Sequence, residues 1–444
     1  MDARVLIETI RKEKNDAVAA GILREEKPLA AITDKEIPRR LPEGWQWCRL
    51  GDYAMKVTDY VASGSFASLK ENVLITNEEN YAVMVKTADF SNGFTKNLTY
   101  TDKKGYKFLE NSNLFGGELI LSNIGSIGKV FIVSDLQRPM TLASNTVMIR
   151  MTHIEYNKYM YYMFTSPFGQ KLLMSISSGT SMLKFNKTQL KSTVIPIAPL
   201  ERQNEICNVL DKVKVIIDKR KTELEKLDNL IKARFVEMFG DLADPTCKWE
   251  KCRLVDTCVN SDDIKCGPFG TQLGKNEYTE EGVAVWEIPQ INSEFKTSPT
   301  HFVTEKKAAE LDAYSIIPGD IAMSRKGNVG RCAVFPATFE NGIIHSDVLR
   351  IRLNEAKAVP EFMMRQLHYS GDIQHQIELV SSGAIMAGIN VTKLKQIFVY
   401  LPPIELQNEF VAFVTQVDKS KAVIQKSLDE TQLLFDSLMQ KYFG

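Results

Sequence analysis

The sequence predicts an α+β protein built as an internal repeat, with two β-rich globular domains and two long heptad helices. Three observations carry that prediction. Ordered blocks of residues return about 204 positions later. Short apolar runs next to Gly, Asn or Ser mark strands inside each copy. Each copy then ends in a run of apolar residues spaced by alternating fours and threes, the signature of a sustained helical seam.

The bulk numbers set the frame. A chain of 444 residues suits two or three domains rather than one core. Its 44% apolar content is ordinary for a globular protein and argues against a largely disordered chain. Lys plus Arg and Asp plus Glu stand at 55 each, for a formal net charge of zero. That argues against a simple basic protein that coats nucleic acid, so any nucleic-acid surface is local or completed by a partner chain. No stretch approaches the ~20 apolar residues that span a bilayer. Met1 to Asp16 is charged and lacks a signal-peptide pattern. The expectation is a cytoplasmic protein.

In chain order, residues 1–40 read as a charged helix and a linker with Pro28 and Pro38, able to add to a helical bundle. Residues 41–198 and 245–402 read as the β-rich domains, each with a helical stretch, at 158–175 and 361–379. Their kinship shows in register. Trp45, Cys48, Arg49, Leu50 and Asp52 return as Trp249, Cys252, Arg253, Leu254 and Asp256. Gly117 to Ser122 returns as Gly319 to Ser324, and Gly125, Gly128 and Lys129 as Gly327, Gly330 and Arg331. Pro199, Glu201 and Gln203 return as Pro403, Glu405 and Gln407. A unit near 200 residues is far longer than a solenoid repeat of roughly 20–50 residues.

Residues 199–240 and 403–444 read as the long helices. The seam passes through Ile206, Leu210, Val213, Ile217, Arg220, Leu224, Leu227, Ile231, Arg234 and Met238. The second copy runs through Phe410, Val414, Val417, Lys421, Ile424, Leu428, Thr431, Phe435, Leu438 and Tyr442. Pro199 and Pro403 suit helix starts, and Gly240 and Gly444 suit helix ends. A helix of this length reaches ~60 Å. Its stripe needs cover, either from the other copy's stripe or from its own β-rich domain.

Chemistry leaves few marks. Cys247, Cys252, Cys258 and Cys266 cluster without a C-x2-C pair or a nearby His, so no metal site is expected. Seven cysteines, an odd number, fit a reducing compartment. Cys48, the counterpart of Cys252, reads as a small buried apolar residue. Gly125 to Lys129 superficially suggests a phosphate loop but fails at Asn123 and Val130. His153, His301, His345, His368 and His375 fall in no catalytic or metal motif. His368 and His375, seven apart in one expected helix, read as a polar surface face. No catalytic residues are expected.

Three loop types occur in both copies and offer donors and acceptors to DNA. The first holds Ser122, Asn123, Ser126 and Lys129, matched by Ser324, Arg325, Lys326, Asn328 and Arg331. Arg325, Lys326 and Arg331 suit guanine edges or phosphates, and Asn123 and Asn328 suit adenine. The alternative is an ordinary hairpin. The second runs from Gly64 to Ser68 and from Gly267 to Thr271, where Phe66 and Phe269 read as core and Lys265, Thr271 and Gln272 as contacts. The third holds Ser178, Gly179 and Lys184, matched in part by Ser382 and Gly383, and suits phosphate contacts or a plain loop.

The Trp-x-x-Cys-Arg-Leu-x-Asp openings, the Gly-Asp-Ile…Ser-Arg…Gly hairpin and the Pro-x-Glu-x-Gln helix starts resemble the specificity subunits of Type I restriction–modification enzymes. The resemblance covers essentially the whole chain. The double proline Pro402-Pro403 is present only in the second copy. The resemblance implies two target recognition domains, each reading half of a bipartite site. It also implies two long antiparallel coiled-coil helices that measure the spacer and dock two methyltransferase subunits. A tandem repeat of this kind can close as a pseudo-twofold object. Restriction and translocase subunits would join the core. S-adenosylmethionine and ATP with Mg would bind those partners, and this chain would hold no cofactor and perform no catalysis. Because the two copies differ at their loops, the site would be asymmetric. The rival readings are a specificity chain for a fused-type partner enzyme, a scaffold joining two protein partners without DNA, and an enzyme with an unrecognised site.

Overall fold

The computed structural model describes residues 1–180, 182–242, 244, 246–382 and 388–444. They form two compact units, one of residues 1–219 with 427–444 and the other of residues 220–426.

The first unit opens with the helix Ala3–Ala19, capped where the Asp2 carboxylate accepts the Arg4 N–H at 2.8 Å. Its apolar face, Leu6, Ile7 and Ile10, is buried in the same core as Cys48 and Leu50. Arg11 meets Asp52 at 2.7 Å, and Lys14 donates to the Gly51 carbonyl at 2.8 Å. The N-terminal helix therefore braces the β-rich head.

Ten strands follow: β1 (Gln46–Arg49), β2 (Lys56–Asp59), β3 (Ala82–Val85), β4 (Tyr100–Thr101), β5 (Asn113–Leu114), β6 (Leu119–Ser122), β7 (Val130–Ile132), β8 (Met140–Leu142), β9 (Thr146–Arg150) and β10 (Val194–Ile197). Antiparallel pairing of β1 with β10 ties the head's entrance to its exit. The buried Arg49 guanidinium reinforces this tie. It meets Glu36 at 2.8 and 3.0 Å and the Ser192 carbonyl at 2.6 Å. Arg49, then Thr33, pull the Glu36 carboxyl down to about 2. In the first copy the Cys-Arg block is thus a structural clasp, whereas Arg253 in the second is exposed and pairs with Asp256 at 3.1 Å.

Two sheets make the head. One is antiparallel in the order β2-β9-β6-β7, and the other runs β4-β3-β8-β5 with β3 and β8 parallel. Side chains alternate between the faces of β6. Ile120 packs with Val83, Val85 and Met140 between the sheets, while Leu119 and Leu121 face the helices Glu155–Thr165 and Pro167–Ser175.

The second unit repeats the design with β11 (Glu250–Arg253), β12 (Ile264–Cys266), β13 (Val283–Trp286), β14 (His301–Val303), β15 (Ser315–Ile316), β16 (Ile321–Ser324), β17 (Cys332–Val334), β18 (Gly342–Ile344), β19 (Val348–Ile351), β20 (Ser381–Ser382), β21 (Gly388–Ile389) and β22 (Phe398–Leu401). β11 pairs with β22, and the sheets run β12-β19-β16-β17 and β14-β13-β18-β15. Ala322 faces the core between the sheets, and Ile321 and Met323 face the helices Pro360–Tyr369 and Gly371–Val380.

The helical stretches expected at 158–175 and 361–379 are each two helices. Ser166 and Ser370 break them by capping the following turn, accepting from the N–H groups of Gly169 and Ile373. His368 and His375 therefore do not share a helix face. His375 is exposed, but His368 is half-buried and its Nε2 lies 3.2 Å from the Cys332 N–H. Burial first, then Arg331 and Arg365, push its pKa down to about 4. The expected polar face at His368 is corrected to an inward-facing acceptor. Cys48 is buried, which raises its thiol to about 12.

The long helices are Leu200–Phe239 and Ile404–Phe443, 40 residues each. Within the first unit, Arg202 lies 5.4 Å over the Tyr442 ring, and Ile206 and Leu210 share a core with Met439 and Phe443. Within the second, Arg234 pairs with Glu409 at 3.1 Å and Asp228 with Lys421 at 2.6 Å. The rising index of one helix against the falling index of the other makes the pairing antiparallel. Each helix also packs on a head. Phe235 touches Phe362, and Tyr162 touches Phe435. The two candidate covers for the stripe act together. Phe235 and Phe239 are the deeply buried positions near the end of the central helix, whereas Arg234 and Met238 on the expected seam are only half-buried.

Candidate nucleic-acid interface

The first and third loop types, far apart in sequence, meet in both units. In the first, the Gly125 N–H donates to the Leu183 carbonyl at 3.0 Å, and the Asn123 amide donates to Phe185 at 3.2 Å. Ser178 and Lys184 exchange backbone hydrogen bonds at 2.9 Å. In the second, the Ile389 N–H donates to the Arg325 carbonyl at 3.1 Å, Lys326 bridges Gly388, and β20 pairs with β21.

Glycines shape these hairpins. Gly128 and Gly330 have φ of 94° and 82°, and a Cβ there would come within 2.3 Å of Gln170 or 2.9 Å of Ile377. Only glycine meets both demands without strain. Ile127 and Val329 pack on the two cores, which turns their neighbours outward. Ser126, Lys129, Asn328 and Arg331 are exposed, as are Ser178, Gly179 and Lys184.

Ser122, Asn123 and Ser324 are buried at the hairpin bases. The Asn123 side-chain N–H donates to the Phe185 carbonyl, so Asn123 holds one loop against the other. Gly383 lies outside the described residues, and Ser382 is placed by its backbone in β20.

The second loop type joins the first in the second unit. The Arg325 guanidinium sits 5.4 Å over the Phe269 ring and donates to the Ile389 carbonyl at 3.3 Å. Gln272 accepts from the Tyr314 hydroxyl at 2.9 Å, and Lys265 lies 5.4 Å over the Tyr314 ring. Thr271 is exposed. Lys326 pairs with Asp347 at 2.8 Å, and Arg331 lies 3.6 Å from Glu294. Phe269 and Phe66 are 54% and 75% exposed, so neither is core. The reason is visible at Phe269, whose face is used by a cation rather than by apolar neighbours.

Three residues absent from the sequence reading as contacts stand beside this cluster, Glu287, His301 and His345, and Lys86 holds the position that matches Glu287 in the first unit. They lie in stretches where the copies diverge, so no repeated motif marks them. Glu287 is 2.7 Å from His301. Among the described residues, no group of three or more His, Cys, Asp or Glu side chains converges on a metal position. No helix among them is long and apolar enough to cross a membrane.

Two heads of one design, each carrying matched loops and each docked on heptad helices, define a duplicated, helix-braced binding protein. The chain belongs to the family of the Type I restriction modification DNA specificity domain, whose model matches residues 42–229 and 249–432. It is similar to the Type I restriction enzyme EcoAI specificity subunit of Escherichia coli, 27% identical over 52% of this chain and 40% of that subunit. It is also similar to the StySPI specificity subunit of Salmonella potsdam, 22% identical over 90% of this chain and 88% of the relative. The fold is shared with the S subunit from M. genitalium, at TM-score 0.52 and 17% identity over 91% of this chain and 98% of that one. It is shared too with a chain from work on complex assembly and conformational transition of the type I R-M system, at TM-score 0.55 and 19% identity over 91% and 99% of the two chains.

Proposed function

We propose that this chain is the DNA sequence-specificity subunit of a Type I restriction–modification complex, with each head reading one half of an asymmetric bipartite site. One observation carries the reading. Both heads present the same hairpin against the same partner loop, yet with different side chains. Ser126 and Lys129 are offered by one, and Arg325, Lys326, Asn328 and Arg331 by the other. A common frame with different donors suits two different half-sites. Exposed Lys129, Lys184 and Arg331 suit phosphates, which set position without specifying bases.

The antiparallel helices fix the spacer between half-sites and dock two methyltransferase subunits. Restriction and translocase subunits complete the assembly. S-adenosylmethionine and ATP with Mg bind those partners, and this chain contributes recognition and scaffolding without catalysis. A net charge of zero fits a reader whose partners supply much of the phosphate attraction. A protein-joining scaffold that ignores DNA is not favoured, given the family to which both heads belong.

The test is methylome sequencing of the host with and without this gene. The expected result is loss of one asymmetric bipartite methylated motif. An unchanged methylome overturns the proposal.

A further inference from the structure

The residue that follows the inner parallel strand of each head has opposite charge in the two units. β3 is followed by Lys86, whose Nζ donates to Thr99 Oγ1 at 2.7 Å and to the Asn97 carbonyl at 3.1 Å. β13 is followed by Glu287, whose Oε2 is 2.7 Å from His301 Nδ1.

The backbone makes these one position. Thr99 and His301 lie opposite the penultimate residues, Met84 and Val285. On the other side, the Ala143 N–H donates to the Val85 carbonyl at 3.0 Å, and the His345 N–H donates to the Trp286 carbonyl at 2.9 Å. Two residues on, each chain meets the recognition hairpin. The Asn123 N–H donates to Asn145 at 3.2 Å, and the Arg325 N–H donates to Asp347 at 2.8 Å.

In the second unit the position opens into a cleft of about 770 Å³, walled by Pro268, Gly270, Tyr278, His301 and His345. Tyr278 stacks on His301 at 4.7 Å. The Glu287 side chain is 19% exposed, with its Oε1 4.0 Å from His345 Nε2. His301 and His345 flank the Glu287 carboxylate, and Lys326, paired with Asp347, sits beyond.

Resting on the DNA-reading function, we infer that Lys86 and Glu287 are paired specificity-determining residues of opposite hydrogen-bond polarity. Lys86 donates to an acceptor edge such as guanine O6 and N7. Glu287 accepts from an exocyclic amino group such as cytosine N4. The half-sites then differ in kind at the base that each position faces.

The test uses the full chain assembled with its methyltransferase subunits, acting on duplexes randomised at each motif position. Glu287→Gln is expected to lower the preference for the correct base about tenfold at one position of one half-motif, leaving the other half unchanged. Glu287→Asp keeps the charge and gives a smaller loss at that same position. Lys86→Gln relaxes one position of the other half. Unchanged preference at every position overturns the inference, and so does a uniform rate loss with unchanged preference. A wild-type complex with no sequence preference refutes the DNA-reading function instead.

Discussion

Phe235→Ala tests how firmly the rods hold the second head. Phe235 is 2% exposed. Its ring centroid lies 5.1 Å from Phe239 on its own helix and 5.5 Å from Phe410 on the antiparallel helix. It also lies 5.7 Å from Tyr369 and 6.0 Å from Phe362, both in the head's helices. One side chain therefore joins three elements. Truncating a buried Phe to Ala costs about 3–5 kcal/mol, as lost transfer energy plus a cavity. For a unit of this size, each kcal/mol lowers the melting temperature by about 2–4 °C, so the second unit's transition should fall by roughly 10 °C. Differential scanning calorimetry of the full chain measures it, with Phe235→Leu as a milder control. A fall of less than about 3 °C, equivalent to roughly 1 kcal/mol, would refute the claim that this cluster ties head to helices.

Acid should loosen the second head through His368. Its folded pKa, about 4, lies below its ordinary value of 6.5, so the unfolded chain takes the proton first. The stability is fully present above pH ~6.5 and is lost as pH falls toward ~4, by about 2 kcal/mol after allowance for partial exposure. Urea melts across that window should show the slope, and His368→Gln should flatten it; an equal slope in the variant would rule out this residue. At the hairpin, Gly330→Ala should cost about 2–3 kcal/mol and Gly327→Ala about 1 kcal/mol. Both have positive φ, but only the Gly330 Cβ meets Ile377, while the Gly327 Cβ meets open space. Equal losses in chemical denaturation would show that the packing contact is irrelevant.

The duplication and the long helices were legible because repeated blocks and heptad spacing survive in the letters themselves. The two-sheet layering was not. Strands β6 and β16 are buried on both faces, so their residues read as continuous apolar runs that hide the period of two. Ser166 and Ser370 could each have signalled a cap, but apolar residues on both sides preserved the helical pattern. The hairpin was readable as a candidate contact region from its glycines and repeated polar residues. The burial of Asn123 was not, since it depends on the Phe185 carbonyl 62 residues away. Lys86 and Glu287 escaped because equivalence between them is a matter of strand register rather than residue type.

The central claim is that two unlike heads read independently from one braced frame. Its most direct measurement is the methylome of a complex in which residues 245–402 are replaced by the equivalent head of a relative. The account predicts that one half-motif changes while the other half and the spacer length stay as they were. A change in both halves would contradict it.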